Sequence, residues 1–97
     1  MRGCPSRWTW DPAKNAVNWM EHGLDFETAQ FVFDDPLSMT RSDPYAEEAR
    51  WRTMGRIGSV VVMVIHTWPE AGEGVGRIIS ARKATKHERK AYEEGEY

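Results

Sequence analysis

The densest chemistry in the sequence lies near its end. Residues 77–92, RIISARKATKHERKAY, run an apolar, strand-like core into a cluster of cations: Arg77, Arg82, Lys83, Lys86, Arg89 and Lys90, against the single acid Glu88 up to position 90. In a chain of formal net charge −2, so local an excess predicts a phosphate-facing edge. Thr85 followed three residues later by Glu88 is the pattern of a capping box, which ends the strand and opens a helix. Arg82 and Lys83 then fall at a strand exit beside a helix N-terminus, where backbone N–H groups also favour an anion. A second basic set, Arg50, Arg52 and Arg56, keeps the period of a strand and marks one face of it. Arginine suits phosphate because its planar fork bonds two oxygens at once and never loses its charge. Arg52, in mid-strand, leads this set as a stabiliser of negative charge, with Arg82 second. Lys14, Asn18 and His22 recur every four residues along one helical stripe. Lys14 is either a phosphate contact or a solvated lysine. His22 is either a proton-transfer group or a cation that closes its helix.

A small domain must position these groups. The 97 residues make one domain, 1–97, of 40% hydrophobic and 29% charged composition, which is that of a soluble globular protein. The longest apolar run, 60–65, is strand-sized and far too short to cross a bilayer, so no membrane partner is expected. No apolar signal segment follows the first residues, which predicts a cytoplasmic protein. Cys4, the one cysteine, has no internal disulfide partner and reads as incidental. Three histidines without a ligand cluster give no support for a metal, and no cofactor is expected.

The order of elements follows from local signals. Residues 7–10 form a short aromatic strand, and Asp11-Pro12 opens a helix whose Ala13, Ala16, Val17 and Met20 predict a buried apolar face before Gly23 ends it. Asp25 caps a second helix, with Phe26, Ala29 and Phe33 inward, until Asp34-Asp35-Pro36 stops it. Strands are expected over 37–41, 48–57, 60–65 and 77–84, with turns at Ser42-Asp43-Pro44-Tyr45 and Gly58-Ser59 and a glycine-rich connection over 68–76. In the second of these, Trp51, Thr53 and Ile57 point one way and Arg50, Arg52, Met54 and Arg56 the other. The run 60–65, apolar on both sides, belongs at the centre of the sheet. Trp10, Trp19 and Trp51 offer faces on which bases could stack, with core packing the expected fate of Trp10 and Trp51, and His66 reads as a packed residue at the end of the central strand. The fold class is α+β: a mostly antiparallel sheet with helices packed on one face.

With these pieces in order, the sequence closely resembles the BrnT family of bacterial toxins. The resemblance rests on Trp10-Asp11-Pro12-Ala13-Lys14 with Asn18 and His22-Gly23, Phe26-Glu27 with Ala29, and Phe33-Asp34-Asp35-Pro36. It continues through Arg50-Trp51-Arg52 with Gly55, Val61-Val62 with Thr67, and Arg77-Ile78-Ile79-Ser80-Ala81-Arg82. It implies a RelE-like fold: a curved, mostly antiparallel sheet with two N-terminal helices on one face and a short C-terminal helix. It implies an endoribonuclease of a type II toxin–antitoxin pair that inhibits translation. The implied partners are a BrnA-like antitoxin with a ribbon-helix-helix domain and, through it, operator DNA.

RNA cleaves itself once its 2′-hydroxyl is aligned with the adjacent phosphorus, so such an enzyme needs proton transfer and fixed positive charge, with no metal obligatory. The catalytic candidates are then Arg52, Arg82, His22, Lys83 and Tyr92; the last two enter through the RelE-like resemblance, and Tyr92 is equally a ring packed beneath the last helix. Glu27 is a possible carboxylate base or a first-turn acid that matches the helix dipole. Lys14, Arg50, Arg56, Arg77 and Lys86 are the substrate-binding candidates. The whole expectation turns on cations from two neighbouring strands converging on one surface. The alternative is a non-catalytic nucleic-acid or protein-binding module that acts with its partner as co-repressor.

Overall fold

The computed structural model describes residues 7–43, 50–67 and 75–96. The lead-in with Cys4, the turn through Pro44 and Tyr45, the expected strand start at 48 and most of the glycine-rich connection lie outside these residues. The elements run β1 (Arg7–Thr9), α1 (Pro12–His22), α2 (Phe26–Ala29) continued by a 3-10 segment (Gln30–Asp34), β2 (Met39–Ser42), β3 (Trp51–Ile57), β4 (Val60–His66), β5 (Val75–Lys83) and α3 (Lys86–Glu94). The order is the one the sequence predicts, with strand ends displaced by a few residues. The five strands lie in the order β1-β5-β4-β3-β2, antiparallel throughout except for the parallel β1–β5 pair. No helix among the described residues is long and apolar enough to cross a membrane.

Register sorts the strand residues onto two faces, because partners across a ladder share a side and neighbours along a strand do not, except at Ile79, where a register shift between β4 and β5 inserts an extra residue. The first face carries Thr53 and Gly55 of β3, Val62, Val64 and His66 of β4, and Ile78 and Ala81 of β5. Phe26, Ala29 and Val32 pack onto it with Trp8, Trp10, Leu24, Phe33 and Ile57 around them. Gly55 is required here: a Cβ at that position would stand 2.7 Å from the Val32 carbonyl oxygen, so only glycine lets the 3-10 segment lie against β3. The second face carries Met39 and Arg41, then Arg52, Met54 and Arg56, then Val61, Met63 and Ile65, then Ser80 and Arg82. Helix α3 lies on this face, where Tyr92 joins Met54, Val61 and Met63 in a second core. The expectation that the helices pack on one face is therefore corrected for α3, since methionines among the β3 arginines give it apolar surface to cover.

Helix α1 overturns a second expectation. Met20 and Val17 are 84% and 51% exposed, and Ala13 and Ala16 also face solvent, while the buried residue of the helix is Asn18, 5% exposed. The reason is hydrogen bonding. The Asn18 carboxamide donates to Ala81 O and Leu24 O, each at 2.8 Å, and its Oδ1 accepts from Ala81 N at 3.1 Å, so it satisfies the outer edge of β5 beyond β1. One turn earlier, Asn15 Oδ1 accepts from Phe26 N at 2.8 Å and fixes the start of α2. Polar groups that complete backbone bonds hold α1 in place, and its apolar stripe is left outside.

Candidate active site

β3 and β5 are not neighbours, which corrects the expectation of adjacent basic strands: β4 runs between them, so their backbones stand two strand spacings apart, about 10 Å. Their arginines nevertheless share the second face. Arg52 pairs across β4 with Ile65 and Ser80, and Arg82 pairs with Met63, which is opposite Met54, two residues along β3 from Arg52.

This face divides into two halves. In the half that α3 covers, Arg82 forms a bidentate pair with Glu88, Nη1 to Oε1 at 2.7 Å and Nη2 to Oε2 at 2.9 Å. Glu88 also accepts from Thr85 N at 2.9 Å, while its own N–H donates to Thr85 Oγ1 at 3.1 Å, so the capping box is complete. The hydrogen bonds from Arg82, against the opposing effect of burial, hold the Glu88 carboxyl at about 2, well below the usual range. Tyr92 is buried, and its hydroxyl donates to Asp35 Oδ2. Burial, then the Asp35 bond and charge, raise its pKa. Burial works against ionisation of Asp35, but the bonds from Tyr92, Leu37 N and Arg56 N outweigh it and lower its pKa. Arg56 is exposed, with its guanidinium 5.6 Å from the centre of the Tyr92 ring. Of the two roles open to Tyr92, this environment fits packing and the tethering of α3.

In the half beyond α3, Arg41 and Arg52 face each other across β2 and β3, and Arg52 Nη2 lies 3.3 Å from Asp43 Oδ1. Arg50 continues β3 outward, its carbonyl accepting from Asp43 N at 2.9 Å. Arg77 precedes Ile78 on β5 and is held against Thr67, which accepts its N–H at Oγ1 and donates its own to the Arg77 carbonyl. Arg50 and Arg77 meet Lys14 and Asp11, from the start of α1, around a cavity of about 210 Å³. Three of the five cations expected to bind substrate thus line one pocket, and Arg52 is on the same face one pleat from Arg50.

The other candidates lie elsewhere. Lys83 pairs with Val62 and so belongs to the first face, opposite its neighbour Arg82. His22 is at the far end of α1 from Lys14, its Nε2 4.0 Å from Glu21 Oε1. Lys86 is exposed in the first turn of α3, and Glu27 is exposed in the first turn of α2. Arg41, Asp43 and Asp35 were not singled out in the sequence. Extending the β3 alternation across to β2 would have found Arg41; Asp43 looked only like a turn residue, and Asp35, though part of the Phe33-Asp34-Asp35-Pro36 motif, was given no role at the site.

The first face holds the one buried histidine among the described residues. A carbonyl can only accept, so His66 Nδ1–H donates to Thr67 O at 2.9 Å, and Nε2 accepts from Thr53 Oγ1 at 2.6 Å. Thr53 in turn accepts from Thr40 Oγ1 at 2.7 Å. The ring stands edge-on to Trp8 and Phe33. Burial lowers its pKa to about 4, with the Thr67 bond opposing, and it is a packed, neutral core residue.

Comparison with known proteins bears on the fold and the family. The family model described as "Ribonuclease toxin, BrnT, of type II toxin-antitoxin system" matches residues 10–88. The chain belongs to the BrnT family. Among solved structures it is similar to the ribonuclease toxin BrnT of Brucella abortus, at 25% sequence identity and a TM-score of 0.59, over 82% of this chain and 97% of that one. No curated protein sequence matches the chain. The BrnT family is one of ribonuclease toxins, so the activity to be located on this fold is RNA cleavage, and a type II system supplies an antitoxin as partner.

Proposed function

We propose that the uncovered half of the second face is the RNA-binding and cleaving surface, and that the chain acts in the cytoplasm as a metal-independent endoribonuclease. Lys14, Arg50 and Arg77 hold backbone phosphates, and Arg52 meets the scissile one. The 2′-oxygen attacks the adjacent phosphorus as its hydroxyl passes its proton to solvent water, the P–O5′ bond breaks, and the 5′-oxygen takes a proton from water. Arg52 neutralises the phosphorane charge that builds between these events, and Arg82, paired with Glu88 in the α3-covered half, adds to the positive field at its edge. Arg56 and Lys86 extend the positive field over α3; His22 and Lys83, off this face, enter only through that field. The observation that carries the reading is the shared pocket of Lys14, Arg50 and Arg77 beside Arg52. The partner is a BrnA-like ribbon-helix-helix antitoxin, which neutralises the toxin and carries the pair to operator DNA.

Inducible expression tests this. Wild type is expected to arrest growth and, with EDTA present, to leave products with 2′,3′-cyclic phosphate and 5′-hydroxyl ends. Arg82→Ala should weaken both effects. Products with 5′-phosphate ends would indicate attack by water and overturn the mechanism. Normal growth with soluble wild type would favour the co-repressor module.

A further inference from the structure

The outward stripe of α1 is a surface feature that RNA cleavage does not explain. Met20, Val17 and Trp19 are 84%, 51% and 56% exposed on a single helix, and an apolar patch of this kind on a small soluble domain marks a contact surface. Its flank is concave. Ala13, Val17, Ile79 and Ser80 border a groove of about 330 Å³ between α1 and β5, and Lys14 and Ile79 line both this groove and the cationic pocket with Arg50 and Arg77. The groove is also graded in charge: Lys14 and the cationic pocket lie at one end, and Glu21, two turns further along α1, at the other. Between its charged ends the groove is lined by Ala13, Val17, Ile79 and Ser80, which offer no charge to a phosphodiester backbone. An amphipathic protein segment is a good occupant, with apolar side chains in the groove and acids at the Lys14 end, where Lys14, Arg50 and Arg77 outnumber the one carboxylate of the pocket, the N-cap Asp11.

We infer that this groove and the adjoining stripe of α1 form the docking surface for the antitoxin, which lays an acidic amphipathic segment along α1. The inference rests on the proposed RNA-binding role of Lys14, Arg50 and Arg77, because it makes neutralisation direct: the antitoxin's acids occupy the cations that would hold phosphate, so RNA and antitoxin exclude each other. The charge gradient sets the direction of the segment, acids toward Lys14 and away from Glu21.

The test uses full-length chain and, as probe, the purified antitoxin of its type II pair. Met20→Asp and Val17→Asp change exposed positions, so both variants are expected to fold with an unaltered melting curve. Each should bind the probe at least tenfold more weakly by calorimetry, and should cleave RNA at the wild-type rate while escaping inhibition by the probe. Wild-type affinity should fall steeply with added salt. Unaltered affinity in both variants would overturn the inference, as would loss of RNA cleavage, which would assign the stripe to substrate. So would a wild-type dimer that Val17→Asp converts to monomer, since a second copy would then be the occupant. If wild type cleaves no RNA, the proposed activity fails, yet the affinity measurement still decides the docking surface.

Discussion

The two faces of the sheet are built from the same strands and have opposite fates. The first is sealed over its middle: Phe26, Ala29 and Val32 press onto it, and even its histidine is neutral, with both ring nitrogens bonded. The second is half sealed, because Tyr92 of α3 packs with Met54, Val61 and Met63, while Arg52, further along β3, pairs with Asp43. One β3 sequence, WRTMGRI, produces both by alternation, with Thr53 and Gly55 on one side and Arg52, Met54 and Arg56 on the other. The lesson is that stability and chemistry are separated by strand period alone, so each can be damaged without the other.

The largest effect belongs to the sealed face. Phe26→Ala empties a fully buried position and is expected to cost about 3–5 kcal/mol in denaturant unfolding. RNA cleavage per folded molecule should stay at the wild-type rate; a loss of activity beyond the loss of folded protein would deny the separation.

Acid divides the faces next, and by pH window. His66 titrates at about 4 in the fold against an ordinary 6.5, so the unfolded chain takes up the proton first. Its contribution is complete above pH 6.5 and is lost as pH falls toward 4. Glu88, at about 2 against 4.5, contributes fully above pH 4.5 and loses its share only as pH falls toward 2. Unfolding curves should accordingly flatten in the upper window for His66→Gln and in the lower one for Glu88→Gln. The same window for both would contradict the assignment.

The smallest effect sharpens the sidedness. Lys83 and Arg82 are sequence neighbours on opposite faces, so Lys83→Ala should change RNA cleavage by less than about threefold, as expected of a charge that acts only through the general field. A loss as large as that of Arg82→Ala would mean that the edge of β5, rather than one face, forms the site.

Much of this was legible in the sequence, for physical reasons that can be named. Alternation along 51–57 and the apolar run 60–65 set the faces and the central strand, and Thr85 with Glu88 announced α3. The orientation of α1 was not legible. Periodicity tracks apolar side chains, and α1 is anchored by Asn15 and Asn18, whose partners on Phe26 and Ala81 are made by tertiary structure. The site was legible in kind but not in grouping. Arg82 reads as another cation of the C-terminal cluster until the helix cap Glu88 is seen to grip it, and Lys14 joins Arg50 and Arg77 only because α1 lies along β5.

The most direct measurement is the single-turnover rate of cleavage of one RNA linkage by Arg52→Ala beside wild type, with EDTA present and the unfolding midpoint recorded for both. Loss of a charge that stabilises the phosphorane should slow cleavage about 10²–10³-fold and leave the midpoint in place. A rate within threefold of wild type would contradict the claim that the uncovered arginine face is where RNA is cut.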